Sequence, residues 1–201
     1  MGLLAGSLSW VRFTVEGTPP ESFWDFVADR VAAFSFKDID DTMDEYSIGW
    51  VSVKNMFDAD FAYASYAAGD YVVLSMRVDE RKVSPAVLKK FVLKEEERVK
   101  KEKQVPKLGR RMRVEIKERV QTQLIRKASP VPALYDLYWN LADSTLFFFS
   151  TNKKAIALVE DLFKDTFDMA LILQVPYLTA ARLLPDDQLQ QLERLQPAIL
   201  I

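Results

Sequence analysis

Apolar and polar residues recur along this chain with two periods, two residues and about three and a half, which mark out strands and helices. Ser7–Val15 (SLSWVRFTV) sets Leu8, Trp10 and, past a local irregularity, Phe13 and Val15 among polar neighbours, predicting a strand. Gly17-Thr18-Pro19-Pro20 breaks it, and Thr18 is placed to cap a helix with Pro19 or Pro20 in the first turn. Phe23, Phe26, Val27 and Val31 follow at helical spacing, with Trp24 close to the same stripe. Ser47–Val53 (SIGWVSV) and Tyr71–Val78 (YVVLSMRV) read as strands, and a third short strand is expected around Phe61–Tyr66. Ala67-Ala68-Gly69-Asp70 reads as a turn.

Ser84-Pro85 then opens a helix, Ser84 as its cap, which continues to about Gln104, where Val105-Pro106 interrupts. A second long helix starts near Lys107 or Gly109 and runs to Lys127, with Met112, Ile116, Val120 and Leu124 as its buried stripe. Ser129-Pro130-Val131-Pro132 returns the chain to the core. Leu134–Asn140 and Thr145–Ser150 read as a hairpin joined by Leu141-Ala142-Asp143-Ser144. Thr151 or Asn152 caps a helix that turns Ile156, Val159, Leu162 and Phe163 inward. Met169–Val175 is a further strand ended by Pro176, Thr179–Leu184 a helical turn or more, and Pro185–Leu195 a last amphipathic helix. The expected fold is α+β: a mixed, mostly antiparallel sheet core with packed helices and a protruding basic helical hairpin. Residues 1–80 and 129–201 would form the two parts of the core, and residues 81–128 the hairpin.

Composition narrows the function. With 49 % hydrophobic and 28 % charged residues the chain is that of a folded protein. No apolar run approaches the roughly 20 residues that span a bilayer, and no signal peptide is evident at residues 1–9, so a cytoplasmic location is expected. The absence of Cys removes disulfides and thiolate chemistry, and the absence of His removes the commonest general base and metal ligand. No cofactor is expected. The charge is unevenly spread: Arg81–Lys127 holds 17 Lys and Arg against 6 Glu, a net +11, in a chain whose formal charge is −2. Residues 1–80 carry 5 positive and 14 negative side chains, and residues 128–201 carry 5 and 9. The basic segment reads as the working surface, and its acidic flanks as the scaffold.

Within that segment Glu95, Glu96 and Glu97 stand beside Arg98, Lys100 and Lys101, so the first helix can neutralise itself through pairs one turn apart. Lys103, Lys107, Arg110, Arg111 and Arg113 have no acidic residue among them. Cations at the start of the second helix oppose its dipole, so an anion is the better explanation for them. Nucleic-acid phosphate is the expected partner, with Lys117 continuing the patch and Lys82, Lys89 and Lys90 extending it at the other end. The alternative is a protein-interaction module that docks an acidic partner. The one candidate catalytic feature is the cluster Asp38, Asp40, Asp41, Asp44 and Glu45, which could in principle hold Mg²⁺ for phosphodiester hydrolysis. It lies in one loop, whereas metal nucleases gather carboxylates from separate elements, so a solvated loop is the simpler reading. Trp10, Trp24, Trp50, Trp139 and Phe147-Phe148-Phe149 fit core faces better than base-stacking platforms, and any left exposed would mark a dimer contact. The apolar end Leu195–Ile201 is expected to pack on the core or on a partner subunit.

From Gly49 onward the sequence resembles the recombination-associated RdgC family. The likeness rests on Gly49-Trp50-Val51, on Tyr71–Val78 followed by Glu80-Arg81-Lys82-Val83-Ser84-Pro85-Ala86-Val87, on Leu124–Ala128, on Tyr138-Trp139, and on the helix from Lys153-Lys154-Ala155, all in family order. It covers about residues 8–184. The resemblance implies a non-enzymatic, nucleoid-associated homodimer that surrounds double-stranded DNA without sequence preference and restrains the recombinase RecA. It also implies an alternative, since part of the family is described as an exonuclease. Two departures stand out. Family members continue beyond the equivalent of Leu184 with a further region, whereas this sequence ends at Ile201, so an open dimer or a different closure is expected. They also carry an aromatic at a dimer contact near the end of the helical hairpin, where this chain has Ser129 or Pro130.

Overall fold

The computed structural model describes residue 3 and residues 9–194. Their order is β1 (Val11–Glu16), α1 (Phe23–Ala33), β2 (Tyr46–Val51), β3 (Ala67–Ala68), β4 (Tyr71–Arg81), α2 (Pro85–Lys103), α3 (Arg110–Lys127), β5 (Pro130–Asn140), β6 (Thr145–Phe148), α4 (Lys153–Phe167), β7 (Ala170–Leu173), α5 (Pro176–Leu183) and α6 (Asp186–Glu193). All strands pair antiparallel in one sheet, ordered β2-β4-β5-β6-β1-β7, with β3 beside the start of β4. The fold is α+β, as expected.

The sheet's core face follows from the period of two. Val72, Leu74, Met76 and Val78 of β4, Leu137 and Trp139 of β5, Leu146 and Phe148 of β6, and Phe13 and Val15 of β1 are all buried. They meet Val27 and Val31 of α1 and Val159, Leu162, Phe163 and Phe167 of α4. Trp50 of β2 is fully buried and donates its indole N–H to Thr166 Oγ1 at 2.8 Å, tying the sheet to α4. Gly49 allows residues 34–36 to pair closely with β2, through a parallel bridge of Ser35 to Trp50. A Cβ there would lie 2.5 Å from the backbone of Phe36, which hydrogen-bonds with Trp50. No larger residue fits that approach.

Several expectations are corrected. α1 is preceded by Ser22 and not capped by Thr18, because the successive prolines 19 and 20 keep the residues before them out of the helical region. β1 begins at Val11, after Trp10; Leu8 lies outside the described residues, as does the apolar end from Leu195. The strand expected around Phe61–Tyr66 is a short 3₁₀ turn at Ala62–Ala64, with Phe61, Tyr63 and Ala64 left-handed. Ala67–Ala68 is itself the short strand, turning into β4 through Gly69 at φ 62° and Asp70. β5 begins at Pro130, so two prolines sit inside a strand. This is tolerated because β6 pairs only Leu137 to Asn140, leaving residues 130–135 bonded on the β4 side alone. β7 stops at Leu173, and Pro176 starts α5 instead of only ending the strand.

The aromatic residues divide between the two faces. Trp50, Trp139, Phe148 and Phe149 are buried, but Trp10 is 48 % exposed and Trp24 38 %. Phe147 points away from the core, stacked on Tyr138 at 4.8 Å and touching Trp10 at 5.1 Å. Strand alternation puts it there: Leu146 and Phe148 take the core face, which leaves Phe147 on the other.

Candidate nucleic-acid interface

The candidate surface is the helical hairpin α2–α3, which is built as the sequence predicts. Ser84 caps α2 by accepting from the Val87 N–H at 3.3 Å, with Pro85 in the first turn. Gln104, left-handed at φ 51°, ends it, and its N–H bonds back to Lys101. The two helices pack through Val99, Ile116 and Val120, flanked by half-buried Leu88, Val92, Met112 and Leu124. Leu108, in the connection between the helices, is 4 % exposed and closes the end of this cluster. That anchor was missed in the sequence because one apolar residue in a polar turn carries no period. The cluster is separate from the sheet core.

All nine expected phosphate-binding residues lie on the exposed surface: Lys82, Lys89, Lys90, Lys103, Lys107, Arg110, Arg111, Arg113 and Lys117. They do not form one uniform patch. Lys103 ends α2, Lys107 lies in the connection, and Arg110, Arg113 and Lys117 fall three and four residues apart on α3, along one side of that helix. Among the described residues these five make no ion pair. Arg111 turns elsewhere, to Glu115 one turn on, at 3.0 Å. Lys82 sits near the base of the hairpin, where it and Lys154 share Glu80 at 2.9 and 3.3 Å and hold that carboxyl below its ordinary range, the Lys82 hydrogen bond contributing most. Lys89 and Lys90 belong to the start of α2, the far end of the helix from Lys103.

α3 begins at Gly109 with no side-chain cap and no acidic residue in its first turn. The leading N–H groups and the positive end of the dipole therefore face the same end of the hairpin as Arg110, Arg111 and Lys107, an arrangement that favours an anion. The middle of α2 is different. Glu95 receives Arg98 at 2.7 Å and also pairs with Arg119, which lowers its pKa to about 2, the hydrogen bond from Arg98 being the largest cause. Glu97 pairs with Lys100 at 2.8 Å. As expected for pairs one turn apart, much of the charge here is already neutralised.

The acidic loop 38–45 is organised by residues that charge counting overlooks. Arg81, the first residue of the basic segment, is buried and serves as a structural pin. Its guanidinium donates to the carbonyls of Ile39 (2.7 Å), Thr42 (3.1 Å), Asp40 (3.2 Å) and Asp44 (2.9 Å), and to that of Ala128 where α3 leaves for β5. Earlier in the same strand, Asp79 and Arg77 form a buried two-point ion pair at 2.7 and 2.8 Å, with the Phe36 ring 4.2 Å from the guanidinium. Arg77, Asp79 and Arg81 alternate with the core residues of β4, the signal that could have marked them. Asp38 caps the Asp40 N–H and lies 3.8 Å from Arg77, and Asp44 accepts from Thr42. Among the described residues no three acidic side chains are grouped so as to hold a metal ion.

No helix of the described residues is long and apolar enough to cross a membrane. No curated protein matches the chain. A family model does: the one described as "Putative exonuclease, RdgC" matches residues 20–181, which takes in the sheet from β2 to β7, both core helices and the whole basic hairpin, and the chain therefore belongs to the RdgC family.

Proposed function

We propose that this protein binds double-stranded DNA without sequence preference through the α2–α3 hairpin. One observation carries the reading: Lys103, Lys107, Arg110, Arg113 and Lys117 are exposed, and without an ion pair among the described residues, at the connected end of the hairpin, beside an uncapped helix start. Arginines fork onto phosphate oxygens, and lysines serve as flexible point charges. Such contacts fix position on the duplex and read no bases. Family membership supports a place in homologous recombination, in which a nucleoid-associated homodimer occupies the duplex and restrains RecA. Arg111, held by Glu115, and Lys82, held by Glu80, are the weaker members of the set.

The test is titration of a random-sequence duplex at several salt concentrations, with wild type and an Arg110→Ala/Arg111→Ala/Arg113→Ala variant. Affinity should fall as a power of salt, with the slope shallower by about two to three in the variant, near 0.9 for each phosphate no longer neutralised. Identical slopes would remove the hairpin from the DNA-binding surface. The family's description favours a second reading, nuclease activity. Mg²⁺-dependent shortening of a labelled duplex, lost in Asp40→Ala/Asp41→Ala and retained in the hairpin variant, would support it over the first.

A further inference from the structure

Two antiparallel helices enclose their shared apolar cluster only along the line between them. On one side of this hairpin the cluster opens into a groove of about 660 Å³. Phe91, Val120 and Leu124 contribute apolar surface to it, and Phe91 is 39 % exposed although it is the largest apolar side chain of α2. Lys94 and Lys101 from α2 and Lys127 from α3 also line the groove, and none of the three makes an ion pair among the described residues. The acidic side chains in the lining are already engaged: Glu95 by Arg98 and Arg119, Glu97 by Lys100. What remains open is an apolar strip bordered by unpaired ammonium groups.

We propose that this groove is a docking site for an acidic amphipathic helix of a protein partner, completing a three-helix bundle on the hairpin. Duplex phosphate is a poor occupant because it has nothing to offer Phe91 and Leu124, whereas an apolar stripe flanked by carboxylates matches both the floor and the border. The groove uses none of Lys103, Lys107, Arg110, Arg113 and Lys117, the cations at the connected end of the hairpin. It does not depend on the DNA reading.

The probe is a fluorescent synthetic peptide of about 18 residues, five helical turns, with Leu at positions three and four residues apart along one face and Glu elsewhere. A scrambled peptide of the same composition is the control. Anisotropy titration of the full chain should show saturable binding of the patterned peptide, weakened about tenfold or more by Lys94→Glu/Lys101→Glu/Lys127→Glu. Phe91→Ser, a change at a half-exposed position, should weaken the peptide, with helix content checked by circular dichroism. Three results would overturn the proposal: no binding up to about 1 mM peptide, equal binding of the scrambled peptide, or a triple lysine variant that binds as well as wild type.

Discussion

The two buried tryptophans of the sheet differ in one atom's surroundings. Trp50 donates its N–H to Thr166, whereas Trp139 Nε1 is buried among Phe23, Phe163 and Phe167 with no partner among the described residues. A buried donor without an acceptor is costly, so replacing it by a ring of similar shape recovers part of what the smaller volume loses. Trp139→Phe should therefore cost less than about 1.5 kcal/mol. Trp50→Phe should cost about 1–3 kcal/mol, since it also leaves the Thr166 hydroxyl short of a donor. Urea denaturation of both variants checks the order, and equal losses would show that the indole hydrogen bond contributes nothing. At the same scale Arg81 shows why a basic residue in a basic segment is not automatically a ligand contact. Its five carbonyl acceptors make it the residue that holds loop 38–45 against the exit of α3.

The hairpin's middle is stabilised by charge that depends on pH. Glu95 titrates at about 2 in the folded chain, against an ordinary 4.5. A depressed carboxyl contributes stability that is fully present above the ordinary value and is lost as pH falls through the folded one. The window therefore runs from about 4.5 down to about 2. Helix content followed by circular dichroism through that window should fall in wild type. In Glu95→Gln it should start lower and fall less, because the neutral amide neither titrates nor pairs with Arg98 and Arg119. Curves that run parallel over the whole window would detach Glu95 from hairpin stability. The cations of α3's first turn gain nothing comparable, since among the described residues only Arg111 pairs with a carboxylate.

Across the molecule, two apolar clusters share one chain. The sheet, α1 and α4 enclose the larger, and the hairpin has its own small one. A region with few buried apolar contacts and exposed backbone hydrogen bonds opens at lower free energy than the core. Native-state hydrogen exchange should accordingly show the amides of α2 and α3 exchanging by local opening, well before those of β4 and β5, which sit in the sheet's interior. Equal protection of both would mean that the hairpin opens only with the sheet.

Local patterns are readable from the sequence. The Ser84-Pro85 start of α2, the stripe Met112, Ile116, Val120 and Leu124, the β5–β6 turn and the Asn152 cap each depend on residues a few positions apart, so periodicity and capping chemistry suffice to specify them. The basic segment is equally plain, because net charge is a property of composition. Departures arise where distant segments meet. Prolines 130 and 132 lie in a strand only because β6 stops short of them, and Phe147 leaves the core only because its neighbours take the inner face. The insertion of β1 between β6 and β7, the cover of Phe36 over Arg77, and the five acceptors of Arg81 all join residues tens of positions apart. Which of the nine cations are unpaired belongs to the same class, since an ion pair forms where folding brings opposite charges together. Tertiary packing decides these matters because strand pairing and charge pairing act through space, and spacing along the chain carries no record of them.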